Sequence, residues 1–119
     1  MEIRARDAAV PFTTADGSTI RSLLDLSNAP VANQSLAEAT LEAGTATTRH
    51  HHRASEELYY LLEGSGTMEI DGATRTVAAG DAVLIPPGAW HQLTADAGTR
   101  IVLLCCCSPP YSHDDTFFE

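Results

Sequence analysis

Four residues with metal-ligating side chains, His50, His52, Glu57 and His91, stand in two short constellations, each fenced by glycines. The first runs Gly44, His50, His52, Glu57, Gly64, and the second runs Gly80, Pro86, Gly88, His91. In a β-strand, side chains two positions apart face the same way with Cα atoms about 6.5–7 Å apart. His50 and His52 can therefore converge on one ion while His51 turns to the other face of the sheet. Glu57 follows across a short turn, and His91 comes from a separate hairpin behind the rigid corner Pro86-Pro87-Gly88. Three imidazoles and one carboxylate make a mixed nitrogen and oxygen set that suits Fe, Mn, Ni, Co or Zn, and does not suit Ca or Mg. A solvated histidine-rich loop is the competing reading of His50-His51-His52. The joint spacing of the alternating pair, the acid and the distant histidine favours a site.

Two further features bear on chemistry. Alternation aims Tyr59 toward the same side as Glu57, and a phenol beside a cation can have its pKa lowered and then give or take a proton. The alternative role for Tyr59 is an amphipathic core residue with a satisfied hydroxyl. Cys105, Cys106 and Cys107 form an adjacent triplet whose neighbours point to opposite faces, so they pair poorly with one another and read as reduced, mostly buried thiols. Trp90, next to His91, is expected to face the opposite side, in the core or at an interface.

The elements that must position these residues read as short strands. From about Ser35 the chain is a series of apolar stretches separated by turn residues, which predicts strands near 35–41, 47–52, 57–62, 67–70, 73–77, 82–85, 90–94 and 100–107. Asp71-Gly72 lies between two of them as a two-residue hairpin turn. Asp16-Gly17, between Phe12-Thr13-Thr14 and Thr19-Ile20-Arg21, predicts an N-terminal hairpin ahead of the main barrel. This many short strands must cover their edges, so an all-β jelly roll or closed barrel is expected, with an immunoglobulin-like sandwich as the competitor. After Pro109-Pro110 a polar and aromatic stretch reaches Glu119. It is read either as a lid carrying Tyr111 and His113 over the barrel mouth or as an exposed tail.

Size and composition narrow the functions. At 119 residues the chain suits one domain, with a barrel core over about 35–107 and residues 108–119 as tail or lid. A net charge of −9 leaves no basic stripe for a nucleic-acid partner. All seven basic residues are arginines, so Schiff-base chemistry is excluded. No apolar run is long enough to cross a bilayer and no signal-peptide pattern opens the chain, from which a cytoplasmic location is expected.

The two constellations resemble the paired motifs of the cupin superfamily. Gly44, His50, His52, Glu57 and Gly64 match the first motif, and Gly80, Pro86, Gly88 and His91 match the second; its terminal Asn is replaced by Ala95. The resemblance implies a small β-barrel, likewise a metal held by His50, His52, Glu57 and His91, and a homodimer. It selects Glu57 over its neighbour Glu56, in agreement with the alternation. For function it implies a metal-dependent enzyme acting on a small organic molecule, first a mononuclear Fe(II) dioxygenase. The alternatives are a redox-neutral lyase, isomerase or cyclase with Tyr59 as acid or base, and a non-catalytic module that binds a metal or small ligand. Cupin lyases that cleave dimethylsulfoniopropionate carry a tyrosine at the same spacing after the glutamate.

Overall fold

The computed structural model describes residues 1–119. Its strands are β1 (Phe12–Thr13), β2 (Thr19–Leu24), β3 (Ser35–Leu41), β4 (His50–His52), β5 (Glu56–Glu63), β6 (Ser65–Ile70), β7 (Ala73–Ala78), β8 (Ala82–Ile85), β9 (His91–Ala95), β10 (Ile101–Ser108) and β11 (Thr116–Phe118). They form two antiparallel sheets, ordered β1-β2-β3-β10-β5-β8 and β11-β4-β9-β6-β7. This is the expected all-β jelly-roll barrel. No helix is long and apolar enough to cross a membrane.

Alternation does the local work. Along β5, Glu57, Tyr59 and Leu61 are buried while Glu56, Leu58, Tyr60 and Leu62 are exposed, the pattern of a strand with one face inward. The turn from β6 to β7 has Asp71 at φ 49° and Gly72 at φ 89°, the left-handed pair that a two-residue hairpin requires.

The Asp16-Gly17 turn is wider than expected. Thr13 pairs with Thr19, so five residues make the loop, and the Asp16 carboxylate closes it by accepting from the Ser18 amide and hydroxyl at 2.8 and 2.6 Å. The hairpin also does not stand ahead of the barrel, because β2 pairs along β3 and belongs to the larger sheet. The tail is not a free end: β11 pairs with β4 and becomes the edge of the smaller sheet, and Tyr111 and His113 just before it line the cavity.

The barrel is packed at one end and hollow at the other. Leu61, Ile85 and Ile101 are fully buried and, with Met68 and Ala95, fill the packed end; burying each large side chain contributes about 1.5–3 kcal/mol. The hollow end is a cavity of about 440 Å³ walled by β2, β3, β4, β5 and β10 and by the C-terminal residues 111–118.

Backbones approach closely at the packed end, where a Cβ built on Gly66 would lie 2.0 Å from the Thr94 carbonyl oxygen and 2.9 Å from Ile101 Cδ1. The carbonyl is fixed by sheet pairing, so it cannot swing aside. Gly66→Ala is expected to destabilise the protein by about 2–3 kcal/mol in a urea-unfolding measurement, whereas Gly98→Ser meets open space and costs only the strain of a side chain at φ 85°, about 1–2 kcal/mol.

Candidate metal centre

His50 and His52 project from β4 into the hollow end, and His91 opens β9 directly opposite His50. All three are buried, His91 completely. Their rings gather closely, with centroids 4.3 Å apart for His50 and His91, 5.2 Å for His50 and His52, and 5.5 Å for His52 and His91. The three offer ligand atoms that all lie within 4.8 Å of one another.

Each imidazole is anchored by its Nδ1. His50 Nδ1 lies 2.7 Å from the Thr48 carbonyl, and His91 Nδ1 lies 2.9 Å from the Ala89 carbonyl. A carbonyl only accepts, so in both rings Nδ1 carries the hydrogen. His52 Nδ1 lies 3.0 Å from the Thr116 hydroxyl, which donates its own hydrogen to the Ser112 carbonyl at 3.0 Å. That hydroxyl is left as an acceptor, so His52 takes the same tautomer. In the neutral state three Nε2 lone pairs therefore point inward.

The corner before β9 links two of these residues. The Gly88 amide donates to the His52 carbonyl at 2.7 Å, and Ala89, next in the chain, holds the His91 ring.

Glu57 completes the arrangement. Its Oε1 is 3.2 Å from His52 Nε2 and 3.5 Å from His91 Nε2, and its Oε2 accepts from the Cys107 thiol at 3.2 Å. Burial pushes the Glu57 carboxyl up, but in the metal-free site His52 and His91 protonated at Nε2 donate to it and attract it, which outweighs burial and brings it down to about 2. His50 is pushed below its ordinary value by burial and then by the charge of His91.

The donor set fits a transition metal. Two inward lone pairs face one carboxylate oxygen, an arrangement that repels unless a positive charge lies between them. His91 Nε2 is buried without a hydrogen-bond partner, an orphan that a bound cation would satisfy. Nδ1 anchoring by carbonyl and hydroxyl acceptors is the usual support for metal-binding histidines.

Of the other residues singled out in the sequence, Tyr59 does face the cavity, its ring 6.3 Å from that of His91. Burial, then the charge of Glu57, pushes its phenol well above the ordinary value, opposite to the shift that a neighbouring cation would produce. Glu56 is exposed. Trp90 lies on the outer face rather than in the core, edge-on to His51 and under the Arg49 guanidinium. Cys105 and Cys107 share the cavity face, and none of the cysteines is paired.

Sequence reasoning missed three parts of the centre. Cys107 reads as a small hydrophobe, yet its thiol holds Glu57. Thr116 and Phe118 lie on the unpredicted β11, and Phe118 packs 5.6 Å from the His50 ring. The run Thr116-Phe117-Phe118, β-branched and aromatic, was the available signal.

Comparison with known proteins places this architecture. Residues 37–107 match the family model described as Cupin domain. The chain belongs to the cupin family. Over 110 residues this cupin is 44% identical to the uncharacterized protein MJ1618 of Methanocaldococcus jannaschii, covering 92% of this chain and 88% of that one. It is 28% identical to the tetracenomycin polyketide synthase protein TcmJ of Streptomyces glaucescens, over 75% of this chain and 59% of the relative. Among solved structures it resembles the polyketide cyclase RemF from Streptomyces resistomycificus, with a TM-score of 0.79 and 25% identity over 97% of this chain and 89% of the other.

Two outcomes follow from the anchoring. Thr116→Val should weaken divalent-metal affinity about 10–100-fold in competition with a chromophoric chelator, while Thr116→Ser stays near the unaltered protein. In the metal-free cupin, His50 and Glu57 both bind protons less readily folded than unfolded, where their values are 6.5 and 4.5. Unfolding therefore takes up protons, and stability is lost as pH falls from about 6.5 toward 2. Urea midpoints at pH 7 and pH 4 should show the drop.

Proposed function

We propose that this cupin is a metal-dependent enzyme in which His50, His52, Glu57 and His91 hold a divalent transition metal and a small organic molecule reacts beside it without net oxidation, as in a cyclase, isomerase or lyase. The observation that carries the reading is the convergence of three like-tautomer imidazoles and a carboxylate at the floor of a cavity of about 440 Å³, where His50, His52 and Glu57 line the wall and His91 is buried behind them, a size typical of small-molecule sites. When bound, the metal supplies Lewis-acid polarisation of a substrate oxygen. The similarity to a polyketide cyclase supports redox-neutral chemistry over the dioxygenase reading, which rests on family analogy alone.

The chain's own residues have distinct parts in this reading. The apolar wall, including Leu41, Leu93 and Leu103, excludes water from the reacting molecule. Tyr59, held protonated by burial and by the negative charge of Glu57, donates its hydroxyl hydrogen toward substrate rather than acting as a base. Cys107 fixes the rotamer of Glu57 through Oε2 and leaves Oε1 directed at the histidines.

The reading extends to assembly and location. Leu58, Tyr60, Leu62 and Leu84 are exposed on adjoining strands of the larger sheet, an apolar face that supports a homodimer. Three unpaired cysteines support a reducing, cytoplasmic setting.

The test is metal content by mass spectrometry on tag-free protein purified without oxygen, next to a His50→Ala, His91→Ala variant. Stoichiometric metal that the variant loses is expected; a protein that takes up no added metal overturns the site. With β-polycarbonyl compounds as substrates, product of unchanged mass, or lower by one water, without O2 uptake is expected. Stoichiometric O2 consumption would return the reading to a dioxygenase. Tyr59→Phe should lower kcat about 10²–10⁴-fold with metal content intact.

A further inference from the structure

The charge of the cavity wall narrows what can enter. Of the 28 residues lining it, 14 are hydrophobic and none is a lysine or arginine. Five of the seven arginines are engaged elsewhere: Arg4 pairs with Glu2, Arg6 with Glu38, Arg49 with Glu69 and Glu119, Arg100 with Glu63, and Arg21 donates to the Ala9 carbonyl, while Arg53 and Arg75 are exposed outside the cavity. Three carboxylates, Asp16, Asp25 and Glu57, do line the cavity. They outnumber the two charges of any divalent ion held at its floor.

Asp16 and Asp25 enter through opposite ends of β2, the strand that joins the larger sheet. Asp16 is built into its loop by one oxygen only: Oδ1 accepts both Ser18 donors, and Oδ2 has no protein donor. The residue lines the cavity and is half-buried there, beside Ser18 and Thr14 on the same wall. At the other end of the strand, Asp25 Oδ1 takes the amide and hydroxyl of Ser27.

We propose that this cavity takes a molecule with an apolar body, at least one hydrogen-bond donor and no negative charge, and that Asp16 Oδ2 accepts from that donor. The inference rests on the reading of this cavity as the substrate site. A carboxylate or phosphate entering here loses its water, finds no lysine or arginine on the wall but only the imidazoles of His50, His52 and His113, and meets three carboxylates, and unpaired burial of charge is strongly unfavourable. A hydroxyl instead meets an acceptor that is already oriented. A site built around such an acceptor rejects molecules that leave it unpaired. Asp16 is thus a specificity-determining residue, and phosphorylated sugars and organic acids are excluded as substrates.

The experiment compares two probes with one ring system, 2-naphthol and 2-naphthoate at pH 7, by fluorescence titration or calorimetry. Both are titrated into the full chain, metal-free after chelation and again after loading with Zn. Naphthol should bind at least tenfold more tightly than naphthoate in both forms. Asp16→Asn, whose amide oxygen still accepts from Ser18, should narrow that ratio at least threefold, and Thr14→Arg, which puts a guanidinium on the cavity wall, should bring naphthoate to within threefold of naphthol. Naphthoate binding as tightly as naphthol to the unaltered protein overturns the proposal, as does a ratio untouched in both variants, or binding of neither probe. The metal-free arm separates this result from the metal reading: charge discrimination in a protein that takes up no metal leaves the inference standing and sinks only the enzyme assignment, whereas metal uptake without discrimination does the reverse.

Discussion

The site depends on the register of β4 against β9. Side chains alternate with a period of two, so a slip by one residue would turn His50 and His52 out of the cavity and put His51 and Arg49 in their place. Pairing of His50 with His91 is the sole strand pair between the two segments, which is little to hold a register. The neighbouring Thr47 supplies the rest. Its amide donates to the Leu93 carbonyl at 2.9 Å, its hydroxyl accepts from the Leu93 amide at 3.0 Å, and its carbonyl accepts from the Gln92 side chain at 2.9 Å. On the far side β11 pairs residue for residue with His50, His51 and His52. A short strand bearing the functional side chains is thus clamped from both edges.

The same arrangement concentrates electrostatic tension where the barrel is hollow. A buried carboxylate sits among imidazoles and beside two thiols that burial holds protonated. None of these groups would be chosen for stability, since apolar residues of equal volume pack as well without the desolvation penalty. Stability instead comes from the other end, where Leu61, Ile85 and Ile101 exclude water completely. Separating a packed end from a polar, hollow one lets the protein hold groups that are poorly compatible with burial within a single small barrel.

Much of this was legible in the sequence because it follows from periodicity and punctuation. Ser35–Leu41 and Ala82–Ile85 occur with the bounds expected, and the convergence of His50, His52, Glu57 and His91 follows from alternation together with motif spacing. What was not legible depends on pairings distant in the chain. Cys107 meets Glu57 because those two residues are register partners across β10 and β5, and nothing local sets that register. Thr116 meets His52 from 64 positions later, on a three-residue strand too short to show a period. Asp16 reaches the cavity because β2 joins the sheet, whereas turn chemistry alone only marked a hairpin.

The distance between Thr116 and His52 also fixes when the centre can exist during folding. Long-range antiparallel pairings close late, because the entropy of looping the intervening chain must be overcome first, and domains dominated by them fold in roughly milliseconds to seconds. Until β11 docks, His52 lacks the partner that sets its tautomer. Until β4 meets β9, His91 is remote from the other ligands. An ion therefore has no preformed cage to nucleate around. Such a cage exists only in the finished barrel, and a metal held there would favour the native register over its neighbours.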